Sequence, residues 1–334
     1  MARDRMVISD KAARRSTLQR RTPEKITPLY TSAAASFYQV GSITGVLTIP
    51  GFGSVESFVP AMQAGFQAMH DAGLKHLIID LSNNGGGELE SGYALIDYLF
   101  PNTSSVPSQL YGDNDMIHSP LANELVKAAV QKPDVSTFWS PWNWFNPQTG
   151  LPFTSDDPWW FPGALYVRGN IPNNYTQKFR DDDKFALEEL PPPPVDERFT
   201  PRAIRVLSNG FCGSTCAVFS RHLQEVNKVP NIVVGGLLRR PMGISTTPGG
   251  EVTDLVTILQ QIDQLDQADN SLAPSNFPDT ASMRFTIREI YPFKGPTDVP
   301  LEFFFQPATA HIPYTQQTAT DPTLIWIEVA DNFF

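Results

Sequence analysis

The sequence predicts an α/β fold in which a mainly parallel sheet is covered by helices. Two segments, residues 45–81 and 204–234, each have the pattern of apolar strand, turn, helix and second apolar strand. The run Leu77–Ile79 is apolar without alternation, which is typical of a parallel strand covered on both faces. Glycine-rich turns follow these strands, so we expect the functional loops to gather at that edge of the sheet.

Length and composition limit the class of protein. The chain has 334 residues, of which 41% are hydrophobic and 18% charged, which suits one large core or two domains. The net charge of −10 speaks against a nucleic-acid partner. No apolar run reaches the length of a membrane span, and none near Met1 has the form of a signal-peptide core. We therefore expect a soluble protein, with its compartment and oligomeric state left open.

Residues 1–40 differ in composition from the rest of the chain. Basic side chains outnumber acidic ones there, and large apolar residues are few, so a packed core is not expected. We predict a disordered basic leader or linker over 1–40 and one catalytic-type domain over 41–334. A core strand so close to the start is also what the back half of a longer protein would show.

The first strand, helix, strand unit follows. Gly45–Ile49 has the pattern of a strand, and Ser54 is expected to cap a helix that Gly73 ends. Lys75–Leu81 is the second strand. Because a crossover connects them, the two strands are expected to lie parallel.

A glycine loop comes directly after the second strand. Gly85–Gly87 precede a helix predicted from about Glu88 to Leu99, and three consecutive glycines let the backbone approach a ligand closely. Neither the phosphate-loop motif nor the dinucleotide fingerprint is present. The remaining uses are an oxyanion hole or a clamp on a peptide backbone.

Residues 101–200 interrupt the alternation of strands and helices. They hold many prolines and five of the six tryptophans, with no sustained period. We predict a long insertion of loops over the active face, ending in a proline-rich hinge at 191–194. The tryptophans could form a binding surface for an apolar or peptide substrate, or could pin a large loop to the body. Two glycosylation sequons begin at Asn102 and Asn174, and they matter only in a secreted chain.

The segment 204–223 carries the strongest chemical signal. A strand over Ile204–Leu207 is broken at Ser208–Gly210, and helical spacing begins at Ser214. A serine hydroxyl at that position faces unpaired helix N–H groups and the positive end of the helix dipole, which can stabilise an oxyanion. The alternative is that Ser214 is only an N-cap, and this stretch taken alone favours that alternative.

The two cysteines, Cys212 and Cys216, flank Ser214. Two thiols cannot form a structural zinc site, and we expect no metal or other cofactor. Their spacing of four indicates packing or a local disulfide that shapes the turn, and is a weaker sign of a cysteine nucleophile.

Further elements complete the chain. Asn231–Val234 has the pattern of a buried strand, followed by Gly235-Gly236. The segments 301–305 and 312–315 are predicted as a further strand and its turn, and 322–329 as a closing helix.

Four segments in this order resemble peptidase family S41, a family of serine peptidases, and in particular its fungal branch related to the chlamydial secreted protease. They are Gly45–Ile49, Leu77–Gly87, Leu207–Cys216 and Val233–Gly236. The resemblance covers residues 38–334 and implies a crotonase-like α/β core with the insertion 101–200.

The resemblance also implies an activity and its residues. The activity is that of an endopeptidase on a peptide or unfolded protein substrate, with Ser214 as the nucleophile. The oxyanion hole would come from the backbone of Gly86 or Gly87 and of Thr215. Some fungal members of this kind sit in biosynthetic clusters for ribosomally made cyclic peptide mycotoxins of the ustiloxin and phomopsin type. A role in cutting such a peptide precursor is therefore expected.

The chain departs from the family at the position of the general base. Bacterial members use a lysine, and the corresponding segment here holds Arg239 or Arg240, which stay protonated. The chlamydial branch uses an upstream histidine and a glutamate. No histidine precedes His70, and Gln306 stands where the glutamate is expected. Two function classes therefore remain: a serine endopeptidase, and a peptide-binding pseudopeptidase that has lost its base.

Overall fold

The fold is described from a computed structural model of the chain, over residues 26–104, 112–181, 199–237, 239–245, 252–275, 281–294, 298–303 and 305–334. The strands are β1 (Ile26–Thr31), β2 (Ser36–Val40), β3 (Thr44–Thr48), β4 (His76–Asp80), β5 (Asn114–Asp115), β6 (Ala164–Arg168), β7 (Ile171–Tyr175), β8 (Ile204–Ser208), β9 (Asn231–Val234), β10 (Val252–Asp254), β11 (Arg284–Thr286), β12 (Glu289–Ile290) and β13 (Ala310–Ile312). The α-helices are α1 (Val55–Asp71), α2 (Leu89–Leu99), α3 (Pro101–Ser104), α4 (Pro120–Gln131), α5 (Thr215–Glu225), α6 (Leu255–Gln264), α7 (Gln316–Thr320) and α8 (Thr323–Asn332).

A seven-stranded sheet forms the centre, in the order β1-β2-β3-β4-β8-β9-β13. The five strands from β3 to β13 run parallel, and β1 and β2 extend the sheet as an antiparallel hairpin. This confirms the predicted α/β fold with a mainly parallel sheet. The crossover helices α1, α2 and α5 bury apolar stripes against it.

The helix α1 follows the predicted pattern closely. Its buried residues Phe58, Met62, Phe66 and Met69 recur at helical spacing, and the chain leaves the helix at Gly73 with φ +68°. Ser54 occupies the N-cap position as predicted, but its side chain makes no capping hydrogen bond.

The predicted leader is wrong over its last part. Residues 26–31 and 36–40 are β1 and β2, and Phe37 and Val40 are buried in the core. The helix α1 approaches this hairpin so closely that a Cβ on Gly65 would lie 2.1 Å from the Phe37 ring. The excess of basic residues lies in 1–25, outside the described residues. The prediction was wrong because it considered the composition of residues 1–40 as a whole, so the basic residues of 1–25 hid the apolar hairpin at 26–40.

The insertion has more structure than predicted. It contains the twelve-residue helix α4, whose N-cap Ser119 accepts a hydrogen bond from the Ala122 N–H, and the hairpin β6–β7. It also has a second apolar core, to which four of its tryptophans contribute: Trp139, Trp144, Trp159 and Trp160. All four are buried. These four tryptophans thus hold the insertion together and are not available as a binding surface. The predicted hinge at 191–194 lies outside the described residues.

The C-terminal segment differs from the prediction in one place. Leu301–Phe303 form a 3-10 turn, whereas the strand is β13, which pairs in parallel with β9. The apolar run starting at Leu301 does not lie in the sheet, and Phe303 and Phe305 are exposed. The closing helix is present as predicted and is α8, whose buried residues Ile325, Trp326 and Val329 pack against the sheet.

Candidate active site

Three loops meet at the carboxyl edge of the parallel sheet. They follow β3, β4 and β8 and comprise residues 50–53, 82–87 and 209–214. Isolated bridges join them, since Phe52 pairs with Gly87 and Asn84 pairs with Cys212. This edge is where α/β proteins bind their ligands.

Ser214 occupies the N-cap position of α5 in an unusual backbone conformation. Its φ is 48° and its ψ is −127°, and its side chain makes no capping hydrogen bond. Backbone held in such a sparsely populated region costs on the order of 1–3 kcal/mol, and residues strained in this way cluster at active sites. The hydroxyl is partly exposed and, within the part of the chain that the structure describes, has no hydrogen-bond partner. Ser214 therefore does not act as an ordinary N-cap.

The two neighbouring serines use their hydroxyls internally. The Ser208 hydroxyl donates to the Ile244 carbonyl at 2.9 Å and accepts the Gly210 N–H at 2.9 Å. The Ser220 hydroxyl donates to the Cys216 carbonyl at 2.7 Å. Both residues are fully buried. Of these three serines, Ser214 alone has an accessible hydroxyl.

Cys212 and Cys216 form a disulfide, and both are fully buried. The bond closes a short ring that contains Ser214. This confirms the local disulfide among the alternatives for the two cysteines, and it removes both thiols as nucleophiles.

The glycine loop lies directly against Ser214. A Cβ on Gly86 would come within 2.7 Å of both the Ser214 Cβ and the Gly213 carbonyl oxygen. Gly86 and Gly87 have φ values of +108° and +139°, which disfavour any side chain. The loop is held from the opposite side, where the Phe52 N–H donates to the Gly86 carbonyl at 2.9 Å. Only glycine fits at these two positions.

The three predicted oxyanion donors differ in their availability. The Gly86 N–H donates to the Asn84 side-chain oxygen at 2.8 Å, so it is already paired. The N–H groups of Gly87 and Thr215 have no hydrogen-bond partner within the described ranges. The Thr215 hydroxyl donates to the Gly87 carbonyl at 2.6 Å and so ties these two residues together. Two free amides therefore flank the Ser214 turn.

Asn84 organises the site, although its role is not evident in the sequence. Its side-chain N–H donates to the Ile49 carbonyl at 2.9 Å, and its own carbonyl accepts the Gly213 N–H at 3.2 Å. Its side-chain oxygen also accepts the Gly86 N–H, so the side chain and main chain of this fully buried residue together connect the chain after β3, the glycine loop and the turn before α5. Its partners lie far away along the chain, so no local pattern indicates this role.

The residues expected at the positions of the general base lie elsewhere. Arg239 and Arg240 are exposed. The Gln306 side-chain oxygen accepts a hydrogen bond from Arg221. Burial lowers the pKa of Arg221, and the nearby carboxylates of Glu225 and Glu302 oppose this shift. None of these groups makes a hydrogen bond to Ser214.

The histidines are also engaged elsewhere. Burial lowers the pKa of His118, which stacks on Trp160, and of His76. His222 is fully buried on α5, and His311 bonds through Nε2 to the Gly235 carbonyl. In the part of the chain that is described, no histidine is hydrogen-bonded to Ser214.

The chain belongs to peptidase family S41. The family model matches residues 43–236, more than half of the chain, and this segment runs from β3 to the glycines after β9. A curated relative is the peptidase S41 family protein ustP of Aspergillus flavus. It is 27% identical over 335 positions, which cover 86% of this chain and 68% of that protein. The family confirms the resemblance seen in the sequence.

Two solved structures are also similar. They are a peptidase from Parabacteroides merdae and mature CPAF complexed with lactacystin. The first is 14% identical with a TM-score of 0.42 and covers 92% of this chain and 66% of that one. The second is 15% identical with a TM-score of 0.43 and covers 91% of this chain and 53% of that one. The chain thus spans about half to two thirds of these structures. At TM-scores below 0.5, the alignments assign no roles to its residues.

Among the described residues, no helix is both long and apolar enough to cross a membrane.

Proposed function

We propose that this chain is a serine endopeptidase whose nucleophile is Ser214. The observation that carries the proposal is the strained, partly exposed Ser214 turn, with the free N–H groups of Gly87 and Thr215 beside it. Membership of a serine peptidase family supports the same chemistry. A strained serine between a strand and a helix is also how α/β-hydrolases expose their nucleophile.

The proposed reaction is acyl transfer in two steps. The Ser214 hydroxyl gives its proton to a base while its oxygen bonds to the carbonyl carbon of the scissile peptide. The carbonyl oxygen becomes an oxyanion, which the amides of Gly87 and Thr215 stabilise. The amine then leaves with a proton, and water releases the acyl group from Ser214. The positive end of the α5 dipole favours the negative charge that develops.

The base is the missing part of this mechanism. No acceptor bonds to the Ser214 hydroxyl within the described residues, and a serine without a base is a weak nucleophile. This observation favours a second candidate, a pseudopeptidase that binds peptides at the same edge. The two candidates differ in whether the chain turns over substrate.

An assay of the full chain separates these candidates. We expect residues 1–334 to cleave denatured protein slowly, about three to four orders of magnitude above the uncatalysed rate, because the oxyanion site works without a complete triad. Fusion to any upstream in-frame domain that supplies a histidine is expected to raise this rate. Peptide binding without cleavage would favour the pseudopeptidase. Loss of cleavage on replacing one of the five histidines would identify that histidine as the base.

Two variants link any cleavage to the site. Ser214→Ala is expected to abolish formation of the acyl-enzyme, which is measured as acylation of the chain by an activated ester. Ser54→Ala is the matched control, because Ser54 also stands at the N-cap of a helix that follows a parallel strand, but with an ordinary φ of −61°. Equal acylation of wild type and Ser214→Ala would refute the proposal.

We further propose that the substrate is a peptide or protein precursor. Likeness to the fungal branch of the family supports maturation of a ribosomally made peptide mycotoxin, and the Aspergillus flavus relative is consistent with a fungal origin. Deletion of the gene is expected to leave the uncut precursor in the producing strain, where peptide mass analysis detects it. Unchanged processing in the deletion strain would contradict this role.

A further inference from the structure

The hairpin β6–β7 in the insertion has one face on the protein and one face in solvent. The face on the protein carries Arg168, which forms a buried ion pair with Asp115 and lies over the Tyr175 ring. The hairpin turns at Gly169 and Asn170, both with positive φ, as a tight two-residue loop requires. Because side chains alternate along a strand, the inward position of Arg168 means that Leu165 and Val167 point outward.

The outward face is apolar and unusually exposed. Leu165 and Val167 are 69% and 68% exposed, and Pro172 opposite Val167 is exposed as well. Within the described residues, β6 pairs only with β7, so its other edge is open. An open apolar edge strand is a site of aggregation unless something covers it.

The register places Asn174 on this face, at its end away from the turn. Asn174 lies directly opposite Leu165 in the pairing, at a distance where cross-strand side chains touch. Its side chain is exposed and, in the described part of the chain, makes no hydrogen bond. Asn174-Tyr-Thr176 is a glycosylation sequon. Thr176 becomes buried on folding, where its hydroxyl accepts the Met116 N–H at 3.1 Å, but in the unfolded chain the sequon is open.

The disulfide is an independent indication of the compartment. The bond between Cys212 and Cys216 forms and persists in oxidising environments, which are those of the secretory route. Sequons are modified in the same compartment.

We propose that Asn174 carries an N-linked glycan and that this glycan covers the apolar face formed by Leu165, Val167 and Pro172. A sugar attached at Asn174 begins beside Leu165, and its C–H surface lies over the strip while its hydroxyl groups remain in water. The glycan thereby shields the apolar face that lies next to the open edge of β6.

The first test is made on residues 1–334 secreted by a eukaryotic host behind a cleavable signal. Enzymatic release of N-glycans converts the modified asparagine to aspartate, and peptide mass mapping then locates it. We expect conversion at Asn174, its loss in Asn174→Gln, and its retention in Thr176→Ser, which keeps both the sequon and the hydroxyl. The separate sequon at Asn102 is followed in the same map as an internal reference. An unmodified Asn174, or no secreted protein with a closed disulfide, would overturn the proposal.

The second test addresses what the glycan covers. Wild type and Asn174→Gln are compared on a hydrophobic-interaction column, where the variant is expected to elute later. The shift should disappear when the same pair is made in a Leu165→Thr, Val167→Thr background, because the apolar face is then gone. Equal elution of wild type and Asn174→Gln would show that the glycan does not cover this face.

Discussion

Replacing Gly86 with alanine perturbs the candidate site at its tightest contact. The new Cβ would lie 2.7 Å from the Gly213 carbonyl oxygen, 2.7 Å from the Ser214 Cβ and 3.1 Å from the Thr215 nitrogen. Carbon contacts are optimal at about 3.5–4.0 Å, and these neighbours belong to the backbone or lie next to it. The Ser214 turn must therefore move.

The cost in stability has two parts. Alanine at the positive φ of Gly86 costs about 1–2 kcal/mol, and overpacking adds about 1–3 kcal/mol. Gly73→Ala is the matched control, because Gly73 also has a positive φ but has no atom within 4 Å of the added Cβ. The control should show only the cost of alanine at a positive φ, without the cost of overpacking. We thus expect Gly86→Ala to unfold at lower urea concentration than Gly73→Ala, by about 1–3 kcal/mol in the free energy of unfolding.

The effect on reactivity should be larger than the effect on folding. Movement of Ser214 away from the free amides is expected to slow labelling by a fluorophosphonate about 100- to 1,000-fold, the scale of a lost oxyanion donor. Gly73→Ala should label at the wild-type rate, because Gly73 follows the C-terminal end of α1, whereas the loops of the candidate site lie at the N-terminal end of this helix. If Gly86→Ala matches Gly73→Ala in both stability and labelling rate, the proposed contact between the glycine loop and Ser214 has no functional role.

Three further predictions test other parts of the structure. The double variant Cys212→Ala, Cys216→Ala should lose about 2 kcal/mol of stability, the chain-entropy value for a ring of about five residues. It should also react more slowly with the fluorophosphonate, because the disulfide no longer closes the Ser214 turn. Equal labelling rates for the variant and wild type would contradict this. Asp115→Asn should destabilise by about 3 kcal/mol in urea unfolding, since it breaks a buried ion pair and leaves Glu289 as the one carboxylate paired with Arg168 among the described residues. A loss below about 1 kcal/mol, the usual worth of a surface pair, would show that the pair is effectively at the surface. Burial lowers the pKa of His118 below its ordinary 6.5, and its buried Nε2 has no hydrogen-bond partner among the described residues. The contribution of His118 to stability is therefore present above pH 6.5 and is lost as the pH falls through the folded pKa. The free energy of unfolding of His118→Phe should consequently fall less than that of wild type when both are measured in urea across this pH range. Parallel pH curves for the two proteins would refute this prediction.

Local patterns predicted the parts of the fold that depend on neighbouring residues. The strand, helix, strand units and the turn before Ser214 follow from apolar spacing and from glycines at the strand ends. Each of these features is contained within a short, continuous segment of the chain. The disulfide was among the alternatives because its cysteines lie four residues apart.

Features that depend on distant contacts were missed or left open. Asn84 joins Ile49 to Gly213, and no spacing in the sequence brings these residues together. The strands β1 and β2 were hidden by the basic residues before them. The helix α4 and the tryptophan core lie among prolines that suggested loops. The Gly87 N–H is free and the Gly86 N–H is not, because the Asn84 side chain accepts the latter. The sequence does not reveal this hydrogen bond.

The most direct test of the account is to find which atom reacts. The full chain is treated with a fluorophosphonate probe and digested, and the modified residue is located by peptide mass mapping. We expect modification at Ser214, its absence in Ser214→Ala, and unchanged modification in Ser54→Ala. Modification at another residue, or labelling that persists in Ser214→Ala, would contradict the assignment of Ser214 as the nucleophile.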